Sequence, residues 1–175
     1  MKKSPPFLLQ MAGAPGSGKS ALARLIGRTT GAVVLDKDVL KTAALEAGAD
    51  EALAGSVAYQ AFFALAGHLL GQDVSVVLDS PSFWDTIPAK GAAIAAARMV
   101  PYYFIECYCN DRDELARRLR DRPRLRSNPG EEAAGMAAQT IAPPGAYLRI
   151  DTTQPIERCL ELALDYLGLA GAAHG

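Results

Sequence analysis

Gly13, Ala14, Pro15, Gly16, Ser17, Gly18, Lys19 and Ser20 fit the spacing G-x-x-x-x-G-K-[ST] without a mismatch. The chemistry this spacing suits is the holding of a phosphate chain. Such a chain needs several N–H donors at close range, and a side chain in the wrong place would block the approach. Glycine at 13, 16 and 18 removes the Cβ atoms and permits the backbone angles that turn successive amides inward. Lys19 would then reach the β- and γ-phosphates, and the Ser20 hydroxyl would ligate Mg²⁺. A helix opening at Lys19 and running through Ala21 adds its positive N-terminal dipole beneath the anion. The ligand to expect over residues 13–21 is a nucleoside triphosphate.

Two further groups of residues could act on such a ligand. Asp36-Lys37-Asp38, with Lys41 one helical turn on, places two carboxylates and a cation after one apolar run. Asp79-Ser80-Pro81-Ser82-Phe83-Trp84 follows another. Beside a Mg-nucleotide, one carboxylate can hold the metal and another can accept the proton of an attacking hydroxyl. The residues alone leave open which of Asp36, Asp38 and Asp79 would take which part. Helix capping explains an aspartate just as well: Asp38 could cap a helix that begins at Val39. Phe83 and Trp84 could stack on a substrate ring or form a small apolar cluster under a loop.

Arginine is the other concentrated cation. Six arginines fall in residues 117–126, after which Ser127-Asn128-Pro129-Gly130 breaks the segment. Arginine supplies planar donors that match phosphate oxygens. Arg117 and Arg120 are explained as well by solvated helix pairs with Asp113, Glu114 and Asp121.

The elements that must position these groups alternate along the chain. Short apolar runs at 7–12, 31–35, 74–78, 102–109 and 147–150 read as strands. Helical periodicity follows each, at 19–26, 39–47 with 52–70, 89–99, 113–122 and 155–167. Near-continuous apolar strands separated by helices predict a parallel sheet covered on both faces. Ligands of such sheets bind at the carboxyl ends of the strands, where the loop, both acid groups and Asp151-Thr152-Thr153 fall. Thr152 or Thr153 would cap the last helix.

Composition narrows the class. In 175 residues, 50% are apolar and 21% charged, with a net charge of −1. That length suits one domain, over 1–170, with a small frayed tail at 171–175. The balance speaks against an extended basic track for nucleic acid. Cys107, Cys109 and Cys159 cannot all pair and show no metal-ligand spacing, which suits buried thiols in the cytoplasm. No run is read as approaching the roughly 20 apolar residues of a membrane span.

With these motifs the chain resembles the small P-loop kinases, AAA-type ATP-binding proteins that include adenylylsulfate kinase, gluconate kinase, chloramphenicol phosphotransferase, zeta toxin and the polynucleotide 5′-hydroxyl kinases. Their pattern D-x-D-x-x-R stands here as Asp36-Lys37-Asp38-Val39-Leu40-Lys41, with lysine in the place of arginine. The resemblance implies a P-loop NTPase fold, with a five-stranded, mainly parallel sheet, helices on both faces and an arginine-bearing lid at about 122–140. It implies ATP and Mg²⁺ as ligands, Ser20 with Asp36 and Asp79 as the metal candidates, Lys19 and Asp38 as catalytic residues with Asp38 the base, and Arg118 and Arg122 of an R-L-x-x-R lid on the phosphates. It also implies a nucleotide-base contact near Thr152, and an acceptor site at Asp36, Asp38, Lys41, Asp79, Ser80 and Trp84. The expected function is phosphoryl transfer to a hydroxyl of a small molecule. A polynucleotide 5′-hydroxyl kinase and an ATP-binding switch that transfers nothing remain as alternatives.

Overall fold

In the computed structural model, which describes residues 5–121, 125–127 and 140–170, β1 (Leu8–Ala12) is buried at every residue. Its position explains this: the strand order is β2-β3-β1-β4-β5, which puts β1 at the centre. β2 (Val33–Asp36), β3 (Val76–Asp79), β4 (Tyr102–Tyr108) and β5 (Leu148–Asp151) complete the sheet, and every pairing is parallel. Parallel strands require crossovers, and the described residues include six helices. They are α1 (Lys19–Thr30), α2 (Lys37–Glu46), α3 (Glu51–Leu70), α4 (Thr86–Ala97), α5 (Arg112–Asp121) and α6 (Ile156–Tyr166).

Two cores cover the two faces. Leu9 and Met11 point to one side and pack with Leu22, Ile26, Ile105, Ile150 and Leu167, which joins α1 and α6 to the sheet. Leu8 points to the other and packs with Phe62, Phe63, Leu70, Leu78 and Ile87, which joins α3 and α4. Each fully buried leucine or phenylalanine contributes roughly 1.5–3 kcal/mol over an exposed one. This period-two split along β1 fixes the strand register. The register in turn brings Asp36 level with Asp79, and Asp79 level with Met11, so the acids and the loop leave one edge together.

The expected alternation is present, with differences at the ends of elements. α2 begins at Lys37, two residues early, because Asp36 rather than Asp38 is its cap: the Asp36 carboxylate accepts from the Asp38 amide at 2.8 Å. α4 begins at Thr86 rather than 89, with Pro88 buried in its first turn. At α6 neither threonine caps: Pro155 holds that position, Thr153 bonds to Asp151, and the Thr152 hydroxyl turns back to Ser17. α3 is more apolar than expected, a 20-residue helix of mean hydropathy 1.4 that by length and composition could cross a membrane. Its Phe62, Phe63, Ala66 and Leu70 are instead packed on the sheet.

One backbone position fixes the loop to the sheet. Gly13 lies at φ +139°, and a Cβ there would collide with the Cys107 carbonyl oxygen and meet Ser17 Oγ at 2.5 Å. Backbone on one side and a buried side chain on the other leave no room to relax. Gly13→Ala is expected to cost about 2 kcal/mol or more, read as a lowered Tm and urea midpoint.

Candidate functional site

The loop from Gly13 to Gly18 joins β1 to α1. The Ser17 amide donates to the Ala14 carbonyl at 3.0 Å, and Gly18 caps α1 at φ +83°. That left-handed turn lets the helix start abruptly, with Lys19 and Ser20 in its first turn. Behind the loop, Thr152 Oγ1 donates to the Ser17 carbonyl at 2.7 Å and lies 3.1 Å from that of Tyr108. β5 therefore holds the back of the loop through one hydroxyl.

Arg118 completes the brace. Its Nη2 donates to the Thr152 carbonyl at 2.7 Å, and its Nη1 to Thr152 Oγ1 at 2.9 Å and to the Gly16 carbonyl at 3.4 Å. Its Nε donates to Glu114 Oε1 at 2.7 Å, and the hydrogen bonds from Arg117 and Arg118 hold the Glu114 carboxyl down at about 2. Arg118 thus ties α5 to the loop and β5. To act on a phosphate it would have to exchange these partners. Arg122 and most of the expected lid, 122–124 and 128–139, lie outside the described residues, as does the 171–175 tail.

A cleft of about 440 Å³ opens beside this brace. It is lined by Gly16, Gly18, Lys19, Ser20, Ala21 and Leu22, by Glu114, Arg117 and Arg118, and by Thr152, Gln154, Ile156 and Cys159. Apolar walls with a helix N-terminus and a lysine at one end suit a ring attached to phosphates. Ala14 and Pro15 are half-buried on the loop.

The acids stand at the ends of β2 and β3, beyond the loop. Asp79 is 3% exposed, and its Oδ1 has no partner among the described residues; the same holds for the buried Ser80 Oγ and Ser17 Oγ. Burial pushes the Asp79 carboxyl above the usual carboxylate range. Lys19 and a hydrogen bond from Ser20 pull it back, and Asp36 and Asp38 push it further up. Unpaired oxygens of this kind suit a hard cation, which takes carboxylate and hydroxyl ligands and keeps others for phosphate and water. No cluster of three or more His, Cys, Asp or Glu that could hold a metal exists among the described residues. The fit is thus to an ion held jointly by Asp79, Ser20 and a phosphate chain. Asp36 has one carboxylate oxygen engaged in capping α2, so Asp79 is the better placed of the two.

A consequence can be measured without ligand. With a raised folded pKa, the stability Asp79 contributes is full at acid pH and is lost as pH rises through the folded value. Asp79→Asn keeps the shape and removes the buried charge. It is expected to stabilise the ligand-free protein at neutral pH by about 1 kcal/mol. Urea unfolding with and without Mg²⁺ checks this, and the stabilisation by Mg²⁺ and nucleotide should weaken.

Asp38 sits on the first turn of α2 and pairs with Lys37, which is 9% exposed. The Lys37 ammonium also stands 5.7 Å above the Tyr59 ring. Burial pushes the Tyr59 hydroxyl up to about 12, with the Asp38 charge adding to it. Lys41 is 2.7 Å from Glu51 at the start of α3. Trp84 packs edge-on to Tyr59 at 6.4 Å and to Phe83 at 6.2 Å. Asp36, Asp38 and Asp79 are thus brought together with Lys19, and Trp84 joins them through Tyr59. Lys41 is turned to Glu51, and the Ser80 hydroxyl is buried.

Sequence reasoning missed three contributors. Lys37 lay in plain view between two acids, where a lysine beside a carboxylate could have been flagged. Tyr59 gives no signal, being one aromatic among several on an apolar helix. Ser127 is the third: its Oγ donates to the Asp38 carbonyl at 2.8 Å and its amide to Thr42 Oγ1 at 3.3 Å. Arg126 Nη1 adds a bond to the Leu45 carbonyl at 3.1 Å, so residues 126 and 127 are fastened to α2.

Comparison with known proteins agrees with this architecture. A Chloroflexus aurantiacus protein superposes with a TM-score of 0.74 at 18% identity, over 93% of this chain and 99% of its own. The APS kinase of Mycobacterium tuberculosis, in complex with AMPPNP and APS, gives 0.71 at 20% identity, over 94% and 98%. A gluconokinase of Sinorhizobium meliloti gives 0.63 at 19% identity, over 98% and 95%. At such identities the likeness is one of fold, that of the P-loop proteins. No curated protein sequence matches the chain. Residues 8–144 do match a sequence family described as an AAA domain. That span runs from β1 through the loop, both acid groups and the arginine segment, and by it the chain belongs to the AAA domain family.

Proposed function

We propose that the chain is an ATP- and Mg²⁺-dependent kinase that moves the γ-phosphoryl group of ATP to a hydroxyl of a small-molecule acceptor. The observation that carries the reading is the convergence of Lys19, the unpartnered Asp79 and Asp38 at one edge of three adjacent strands. A binding switch needs the first two, and the third is what a transferase adds. Solved structures of the same fold that are named APS kinase and gluconokinase support it, one of them holding AMPPNP, an analogue of ATP.

In this reading the loop amides and Lys19 bind the β- and γ-phosphates, and the apolar cleft receives the base. Asp79 and Ser20 would hold Mg²⁺, which when bound neutralises charge on the phosphate oxygens. Asp38 orients the acceptor hydroxyl and takes its proton. The acceptor oxygen bonds to the γ-phosphorus, the bond to the β-phosphate oxygen breaks, and ADP leaves. Three free, buried cysteines suit a reducing compartment, which supports a place in the cytoplasm.

The test is a transfer screen with γ-labelled ATP and Mg²⁺ against pooled hydroxyl metabolites, nucleosides, aminoglycosides, phenicols and 5′-hydroxyl oligonucleotides. Label on one acceptor class, lost in Asp38→Asn, is the expected result. Tight ATP binding with no labelled acceptor would favour a switch, and label on oligonucleotides alone would move the reading to nucleic-acid ends.

A further inference from the structure

The ring system beside Asp38 does not line the cleft at Lys19, Ser20 and Thr152. Tyr59 stacks on Phe63 at 6.3 Å, and Trp84 stands edge-on to Tyr59 and Phe83 with 55% of its surface exposed. A large aromatic side chain left this open, yet held by two other rings, is a rigid platform at low entropic cost. Lys37 links the platform to the acid, since its ammonium touches Asp38 and lies over Tyr59.

The charges nearby are unusual for a site meant to hold an anion. Lys37 is taken by Asp38, and Lys41 by Glu51. The Arg126 guanidinium donates to the Leu45 carbonyl, and Lys90 lies 5.7 Å over the Phe63 ring. Against these stand Asp36 and Asp79, level with each other at the ends of β2 and β3, and Asp38 in the first turn of α2. An anionic acceptor would bring one more negative charge to this edge, next to a triphosphate and with Lys37 and Lys41 already paired. Like charges brought together in a partly buried site repel.

We infer that the acceptor is an uncharged hydroxyl compound with a flat ring, which stacks on Trp84 and presents its hydroxyl to Asp38. The inference rests on the kinase reading and names its substrate class. Trp84 contributes binding and orientation, and the Lys41–Glu51 pair keeps the site closed to carboxylated and phosphorylated compounds.

Matched probes separate the effects: 3-phenylpropane-1,2-diol against 3-phenyllactate, uridine against uridine 3′-monophosphate, and glycerol as the ring-free control. Two readouts run on each, ADP formation and Trp84 fluorescence, which is specific because the chain has one tryptophan. The uncharged ring compounds should quench the fluorescence and be preferred in kcat/KM by at least about 10-fold over their anionic partners. Trp84→Ala should raise their KM by about 10-fold with kcat nearly unchanged, and Trp84→Phe should restore most of it. Glu51→Gln, which releases Lys41, should narrow the preference towards the anionic member. A preference for the anionic members, or a KM unmoved in Trp84→Ala, overturns the inference. So does silence of both readouts for every ring compound. Quenching by uncharged rings with no ADP formed would instead remove the kinase reading and keep the ligand class. ADP formed with anions and no quenching would do the reverse.

Discussion

Lys19→Ala is expected to lower kcat/KM for phosphoryl transfer by about 10³-fold, in the range that removal of one preorganised charge from a transition state commonly costs. The size follows from where Lys19 stands. It opens α1 immediately after the left-handed Gly18, lines the cleft, and is the cation closest in effect to Asp79. It thus stands at a helix N-terminus and on the side of a buried carboxylate, where charge that builds on the β- and γ-phosphate oxygens would be met. Lys19→Arg should not rescue, because a planar fork needs more room than a compact ammonium on a crowded loop. The variant should still fold, since the braces at Gly13 and Thr152 are untouched. Transfer assays with a parallel nucleotide titration check it, and near-normal activity would place the phosphate site elsewhere.

Asp38→Asn should lower kcat by about 10²- to 10³-fold with ATP affinity within about twofold, as expected for loss of a positioned general base. Asparagine keeps the shape of the side chain, and the α2 cap stays because Asp36 supplies it. What is lost is the capacity to accept a proton. The ion pair with Lys37 is lost as well, so the freed ammonium should make a ready contact for anions. Single-turnover transfer and nucleotide binding measured on the same preparation distinguish this from general damage. A variant that binds ATP, folds normally and still transfers at the original rate would show that another group takes the proton.

The parts of the site legible in the sequence are those built by neighbours in the chain. The loop is one: eight consecutive residues set its amides, and their glycines state the backbone angles directly. Strand ends are another, because an apolar run that stops at Asp36 or Asp79 must deliver that carboxylate to the sheet edge. Long-range pairing was hidden. Nothing in residues 36–41 says that Lys41 will turn to Glu51, or that Lys37 will be buried against Tyr59. Arg118 is a phosphate ligand only by resemblance to a kinase lid, and the closeness of β5 to the loop shows its guanidinium tied to Thr152 instead. Element boundaries drifted for a related reason. Asp36 and Asp38 are equally good caps by type, and the strand pairing of Asp36 with Asp79 decides which one turns the chain. The apolar content of α3 likewise reads the same for a membrane helix as for one pressed on a sheet, until its packing is known.

The dependence of Gly13 on the Cys107 carbonyl, and of Ser17 on the Thr152 hydroxyl, has a consequence for the order of synthesis. β1 leaves the ribosome first, yet its two partners are β3, with Leu8 against Val76, and β4, with Leu8 against Tyr102. The Gly13–Gly18 turn is thus translated before the strands that brace it, and its contact with Thr152 forms only once β5 has followed. Nascent chains halted before β5 should gain no protease protection from ATP, while chains carried past α6 should, so nucleotide can act as a late checkpoint on folding rather than a template for it.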